Sequence, residues 1–158
     1  SINHFKITEE VAAAIADHCP VVALETTLMT HGLPKPDGLR VALALEQVVR
    51  SAGAVAATIG ILEGAVRVGL DQAQLEALAA AAATKVNPGN LAAIVASGRA
   101  GSTTVAATVW AASKAGIRVV ATGGIGGVHR DALESGDISA DLPALARHPV
   151  AVVCAGAK

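Results

Sequence analysis

The sequence predicts an α/β fold: a mostly parallel sheet flanked by helices, ending just after its last strand as though truncated. Three observations carry this. Apolar runs of strand length (Val21–Leu24, Ile117–Ala121, Val150–Cys154) alternate with longer Ala-rich stretches of helical length. Glycine and proline fall between them as punctuation. Hydrophobic residues make up 53% of the 158 residues, enough for one core, so the reading is a single domain over residues 1–158.

Each element has a local reason. Thr8-Glu9-Glu10 opens a helix through His18, with acids in its first turn, and Pro20 stops it. Val21 to Glu25 is the first buried strand, followed by a loop holding Thr26, Thr27, His31, Gly32, Pro34 and Pro36. Asp37 is expected to cap a helix to Ala52, which ends at Gly53. Ala54 to Leu62 reads as a strand and Gly64 to Gly69 as a turn; Asp71-Gln72-Ala73-Gln74 has capping-box spacing and starts an Ala-rich helix. Thr84 to Val86 reads as a short strand, Asn87-Pro88-Gly89-Asn90 as a turn, and Leu91 to Ser97 as a helix. After a break at Gly98–Gly101, Ser102 to Ala115 reads as helix with Gly116 as its stop. Ile117 to Ala121 is a strand, Asp141 to Arg147 a short helix, and Val150 to Cys154 the last strand. No internal repeat or second domain boundary is visible.

Composition bounds the function. Net charge is −1, with neither a basic stripe nor an aromatic stacking set, so nucleic acid is not an expected partner. The sequence pI is about 6.5 and mean hydropathy +0.54, but no uninterrupted apolar run reaches membrane-spanning length. Ser1 to Lys6 contains no signal-like apolar region, and two cysteines, Cys19 and Cys154, make a poor disulfide framework. A cytoplasmic protein with reduced thiols is expected. Charged residues amount to only 16%, below the quarter usual for a free-standing domain. That low share suits a surface covered by a missing C-terminal half or by a second subunit.

In open α/β sheets, ligands bind beyond the carboxyl ends of the strands. Four polar features fall there: Glu25 at the end of the first strand, Lys85 in or just after the third, the cluster Gly123, Gly124, Gly126 and Gly127 at the end of the fourth, and Lys158 after the fifth. Lys158 is the leading nucleophile candidate, because desolvation at the mouth of an apolar strand lowers an amine's pKa and a free amine attacks a carbonyl to form a Schiff base; a solvated chain end is the plainer alternative. Glu25, at an apolar strand end, suits a general acid, or a salt bridge to Lys85. The glycines let backbone amides approach an anion, although neither the dinucleotide fingerprint nor the Walker pattern is met; a tight turn without ligand is the alternative. Arg130, beside His129, suits phosphate or a plain surface loop. Ser102 at a helix start suits an anion site or ordinary capping. Asp137 and Asp141, four apart, suit a hard divalent cation, unless Ser139 or Asp141 caps the following helix.

These motifs, taken in order, resemble a known family. Ala23-Leu24-Glu25-Thr26-Thr27 with His31-Gly32-Leu33-Pro34, the block Ala121 to Arg130, Asp137 to Leu142, and Val152-Val153-Cys154-Ala155-Gly156-Ala157-Lys158 resemble the pseudouridine-5′-phosphate glycosidases and their indigoidine-synthase-A-like relatives. The resemblance implies reversible cleavage of the C–C glycosidic bond of pseudouridine 5′-phosphate to uracil and ribose 5-phosphate, a lyase-type reaction of nucleotide metabolism. It implies that Lys158 is the Schiff-base nucleophile and Glu25 the proton donor. Lys85, Val105, Ser139, Ala140 and Asp141 would contact substrate, and Asp137 would hold a divalent metal, Mn2+ in the family. A cytoplasmic homotrimer is implied, with this chain as the N-terminal part of a longer family domain. The alternatives are a phosphosugar- or nucleotide-binding module that does not catalyse, and an inactive fragment.

Overall fold

The computed structural model describes residues 4–157. Lys158 lies outside the described residues. Among the described residues, eight strands and seven α-helices follow one another along the chain: β1 Phe5–Ile7, α1 Glu9–Ala16, β2 Val21–Leu24, α2 Asp37–Ser51, β3 Val55–Leu62, β4 Ala65–Val68, α3 Gln72–Ala80, β5 Thr84–Val86, α4 Leu91–Ala96, β6 Gly101–Thr103, α5 Val105–Ala115, β7 Val119–Thr122, α6 Ala132–Ser135, α7 Asp141–Arg147 and β8 Ala151–Cys154. A π-helical turn, Leu28–Gly32, sits in the loop after β2.

The sheet runs β1-β4-β3-β2-β7-β8, with β6 joining β3 and β5 joining β6. Pairing is parallel for β1/β4, β2/β3, β2/β7, β7/β8 and β5/β6, and antiparallel for β3/β4 and β3/β6. The expected α/β architecture with a mostly parallel sheet is therefore present. The long strand β3 makes it possible. Its first half, Val55 to Thr58, pairs with β2, and its second half exchanges that neighbour for β6.

The core is built almost wholly from small aliphatics. Helix α5 has eight buried residues among its eleven and packs against β7, β4, β2 and β6. Five of the eight are alanines: Ala106, Ala107, Ala111, Ala112 and Ala115 let the helix axis approach the sheet closely. Thr104 caps the helix by accepting the Ala107 amide on Oγ1, and Gly116 ends it in the left-handed region at φ 85°. A second cluster of Met29, Ala42, Leu70, Leu75 and Leu78 fills the space under α2 and α3. Gly38 is required there, because a Cβ would collide with the Met29 carbonyl of the π-helical turn.

Several local expectations change. Ser102 does not cap a helix: Gly101–Thr103 is strand β6, and the cap is Thr104. Asp37 is the first residue of α2 rather than its cap, and its carboxylate takes Arg40 instead. The segment between Gly64 and Gly69 is strand β4, paired with both β3 and β1. The capping box at Asp71 and Gln74 is formed as expected.

Candidate active site

Register places the site. Leu24 of β2 stands level with Ala121 of β7, and Thr122 of β7 with Cys154 of β8. The next residue of β2, Glu25, thus emerges beside Thr122 at one rim of the sheet. Thr122 Oγ1 donates to Glu25 Oε1 at 2.8 Å, and the Leu28 amide donates to Glu25 Oε2 at 3.2 Å. Glu25 is half-buried, and the backbone behind it is pinned by hydroxyls. Thr26 Oγ1 donates to the Ile59 carbonyl at 2.9 Å and accepts the Thr103 amide at 2.9 Å, and Thr27 Oγ1 donates to the Thr103 carbonyl at 2.8 Å. Such satisfied buried networks fix a strand end in place.

A cavity of about 460 Å³ opens in front of this rim. Glu25, Lys85, Gly126, His129, Asp137 and Asp141 all line it, coming from β2, β5, the turn after β7 and the start of α7. Val105, Ser139, Ala140, Gly124 and Gly127 also line it. Of the four strand-end features expected to converge, Glu25, Lys85 and the glycine turn do so; the fourth, Lys158, lies outside the described residues. The residues just before it are tied to the turn: the Ile125 amide donates to the Gly156 carbonyl at 3.1 Å, and Ala157 bridges Ile125. Gly123 and Arg130 are exposed and do not line the cavity.

One amide of the glycine turn is not open to an anion. The Gly126 amide donates to Asp141 Oδ2 at 2.8 Å, so it is already satisfied. A Cβ at Gly126 would collide with the Ser139 side chain, which makes glycine a packing requirement there. Ser139 in turn donates its amide to the Gly127 carbonyl and accepts the Asp141 amide on Oγ at 3.1 Å.

Asp141 is buried and engaged through both carboxylate oxygens. Its Oδ1 accepts the Ala106 amide at 2.8 Å, in the first turn of α5, while Oδ2 holds Gly126. The carboxylate therefore caps a helix other than its own, and the idea that Asp137 and Asp141 share a cation is corrected by this geometry. Asp137 is exposed, lines the cavity, and has Oδ2 3.8 Å from His129 Nε2. No group of three or more metal-binding side chains occurs among the described residues. Asp137 offers one exposed carboxylate, and any cation there would draw its remaining ligands from water or substrate oxygens.

Three lining residues stand outside the expected set: Thr27, Asn87 and Thr104. Asn87 accepts the Gly89 amide on Oδ1 at 2.8 Å, which sets the orientation of its side-chain amide. Thr122 also stands outside it. The one sequence signal that could have found Thr122 is its place immediately before the glycines.

Among the described residues no helix is long and apolar enough to cross a membrane, and both cysteines are free.

The chain and its fold have known counterparts. Residues 10–158 match the family model described as indigoidine synthase A like protein. The chain is 56% identical to a pseudouridine-5′-phosphate glycosidase of Salinispora tropica over 98% of its own length and 48% of the relative's. It is also 56% identical to one of Paracoccus denitrificans over 96% of its length and 51% of the relative's. Among solved structures, the prealnumycin C-glycosynthase AlnA in complex with ribulose 5-phosphate superposes with a TM-score of 0.89 at 40% identity, over 100% of this chain and 51% of that one. An indigoidine synthase A-like protein of Thermotoga maritima superposes at 0.86 with 33% identity, over 98% and 50%. The chain thus spans about half the length of the curated relatives it matches.

Proposed function

The chain belongs to the indigoidine synthase A-like protein family, and on that premise we propose that it carries the catalytic rim of a pseudouridine-5′-phosphate glycosidase. The reaction is reversible cleavage of pseudouridine 5′-phosphate to uracil and ribose 5-phosphate. The observation that supports it best is that one cavity joins Glu25, Lys85, the glycine turn and Asp137 at the carboxyl ends of β2, β5 and β7.

A C-glycoside has a carbon leaving group, so the usual pair of glycosidase carboxylates has no exocyclic oxygen to protonate. An amine solves this problem. In the proposed course the Lys158 amine attacks C1′, the C1′–O4′ bond breaks, and Glu25 delivers the proton that O4′ takes. The ammonium formed on attack returns a proton to Glu25, which passes it to C5 of uracil, and the nitrogen lone pair then forms the C=N bond as the C1′–C5 bond breaks. Water then hydrolyses the imine, releasing ribose 5-phosphate and restoring the amine.

The remaining residues bind and orient. Lys85 supplies the positive charge that a 5′-phosphate requires. Val105, Ser139, Ala140 and Asp141 shape the wall that holds the phosphosugar, with Asp141 fixing the turn rather than binding a cation. Asp137 would hold a divalent metal, Mn2+ by family likeness, whose contribution when bound is to neutralise substrate oxygens. A cytoplasmic homotrimer is the proposed assembly.

Turnover tests the reading. Incubation with pseudouridine 5′-phosphate and Mn2+ is expected to release uracil, and Glu25→Gln is expected to stop release while ribose 5-phosphate still binds. Binding without turnover in the unaltered protein would instead favour a phosphosugar-binding module.

A further inference from the structure

We infer that Thr122 is a positioning residue for Glu25, a two-way hydroxyl that lets the carboxyl group change protonation state without losing its partner. The inference rests on the proposed role of Glu25. Three contacts of one oxygen carry it. Thr122 Oγ1 donates to Glu25 Oε1 at 2.8 Å, lies 3.4 Å from the Gly124 carbonyl, and accepts the Gly124 amide at 3.4 Å. A threonine hydroxyl has one proton and two lone pairs and rotates to suit its neighbours. While Glu25 is ionised, the proton points to Oε1. When Glu25 holds its own proton, the Thr122 proton turns to the Gly124 carbonyl and Oγ1 becomes the acceptor. A group that gives up and regains a proton in each turnover keeps its orientation in both states by this means. The same hydroxyl links the acid to the glycine turn that lines the cavity.

Register explains why Thr122 has this position. Leu24 is level with Ala121, so the residues that follow, Glu25 and Thr122, leave adjacent parallel strands together. Other ionisable groups line the cavity with Glu25: Lys85 from β5, His129 from the turn after β7, Asp137 after α6 and Asp141 from α7; Cys154 stands level with Thr122 at the end of β8, and Glu46 of α2 accepts the Thr58 hydroxyl. None of these changes in a Thr122 variant, which isolates the hydroxyl.

The test is the titration of Glu25 by carbon-detected NMR in protein labelled at the glutamate carboxyl carbon, its signal identified by its loss in Glu25→Gln. The bond donated to the ionised carboxylate is charge-assisted and stronger than the one accepted from the neutral acid, so removing the hydroxyl raises the midpoint. Thr122→Val is expected to raise the Glu25 midpoint by about one pH unit and to shift the alkaline limb of kcat/KM with it, because Glu25 acts in its protonated form, and Thr122→Ser is expected to restore both. An unchanged midpoint in Thr122→Val, or a raised one in Thr122→Ser, overturns the inference. If Thr122→Val does not fold, Thr122→Ala serves in its place with the same expected shift. Retained turnover in Glu25→Gln would instead overturn the acid role of Glu25, a result separate from the NMR titration of Thr122 variants.

Discussion

Asp141 and Gly126 are joined by a 2.8 Å hydrogen bond from the glycine amide to Oδ2, while the other carboxylate oxygen takes the Ala106 amide. One buried side chain thus ties the turn that lines the cavity to the first turn of the largely buried helix α5. The position of the turn depends on that tie more than on the conformational freedom of its glycines.

Asp141→Asn replaces one acceptor with a donor that faces an amide N–H. The expected loss is about 2 kcal/mol, the scale of a charged, buried hydrogen bond removed with its partner left unsatisfied. Urea unfolding measures the loss, and affinity for ribose 5-phosphate is expected to fall with it.

Gly126→Ala places a Cβ against Ser139, with the Ser139 Cβ 2.6 Å away. Either the turn or the Asp137–Asp141 segment has to move, so phosphosugar affinity is expected to fall at least tenfold, which corresponds to about 1.4 kcal/mol. The pair Gly126→Ala with Ser139→Gly is expected to recover part of the loss, a coupling that calorimetric titration of the two single variants and the double variant reads directly.

Glu46 makes stability depend on pH. Burial pushes its carboxyl group above the usual value, against the smaller opposing effects of the Thr58 hydroxyl and Arg50. A carboxyl group raised on folding binds its proton more tightly in the folded chain. Its contribution is therefore full below the ordinary carboxylate range and is lost as pH rises through the raised value. Glu46→Gln is expected to flatten the decline in unfolding free energy over that window. Glu10, held low by its bond to Arg50, acts with the opposite sign and is unchanged by that variant.

The parts legible in the sequence are those with local causes. The Asp71 box, the Gly116 stop, the α7 bounds and the strands β2, β3 and β5 all follow from nearby residues. The parts that are not legible depend on partners far along the chain. Gly101-Ser102-Thr103 has no strand signal of its own and becomes β6 by pairing with β3 and β5. Phe5–Ile7 becomes β1 by pairing with β4. The same holds for the site. Glu25, Lys85 and the glycine turn are visible as strand-end polar features, whereas Thr122 matters because β7 lies beside β2, a neighbour relation that local pattern does not encode. Asp141 reads as a metal ligand or a cap for its own helix, and its true partners are 15 and 35 residues away.

The central claim, that a lysine amine captures the sugar beside Glu25, is tested most directly by borohydride reduction in the presence of ribose 5-phosphate, followed by peptide mass spectrometry. The account predicts one reduced pentose phosphate adduct, on Lys158, absent in Lys158→Ala. An adduct on Lys85 or another lysine, or none in protein that turns over pseudouridine 5′-phosphate, would contradict it.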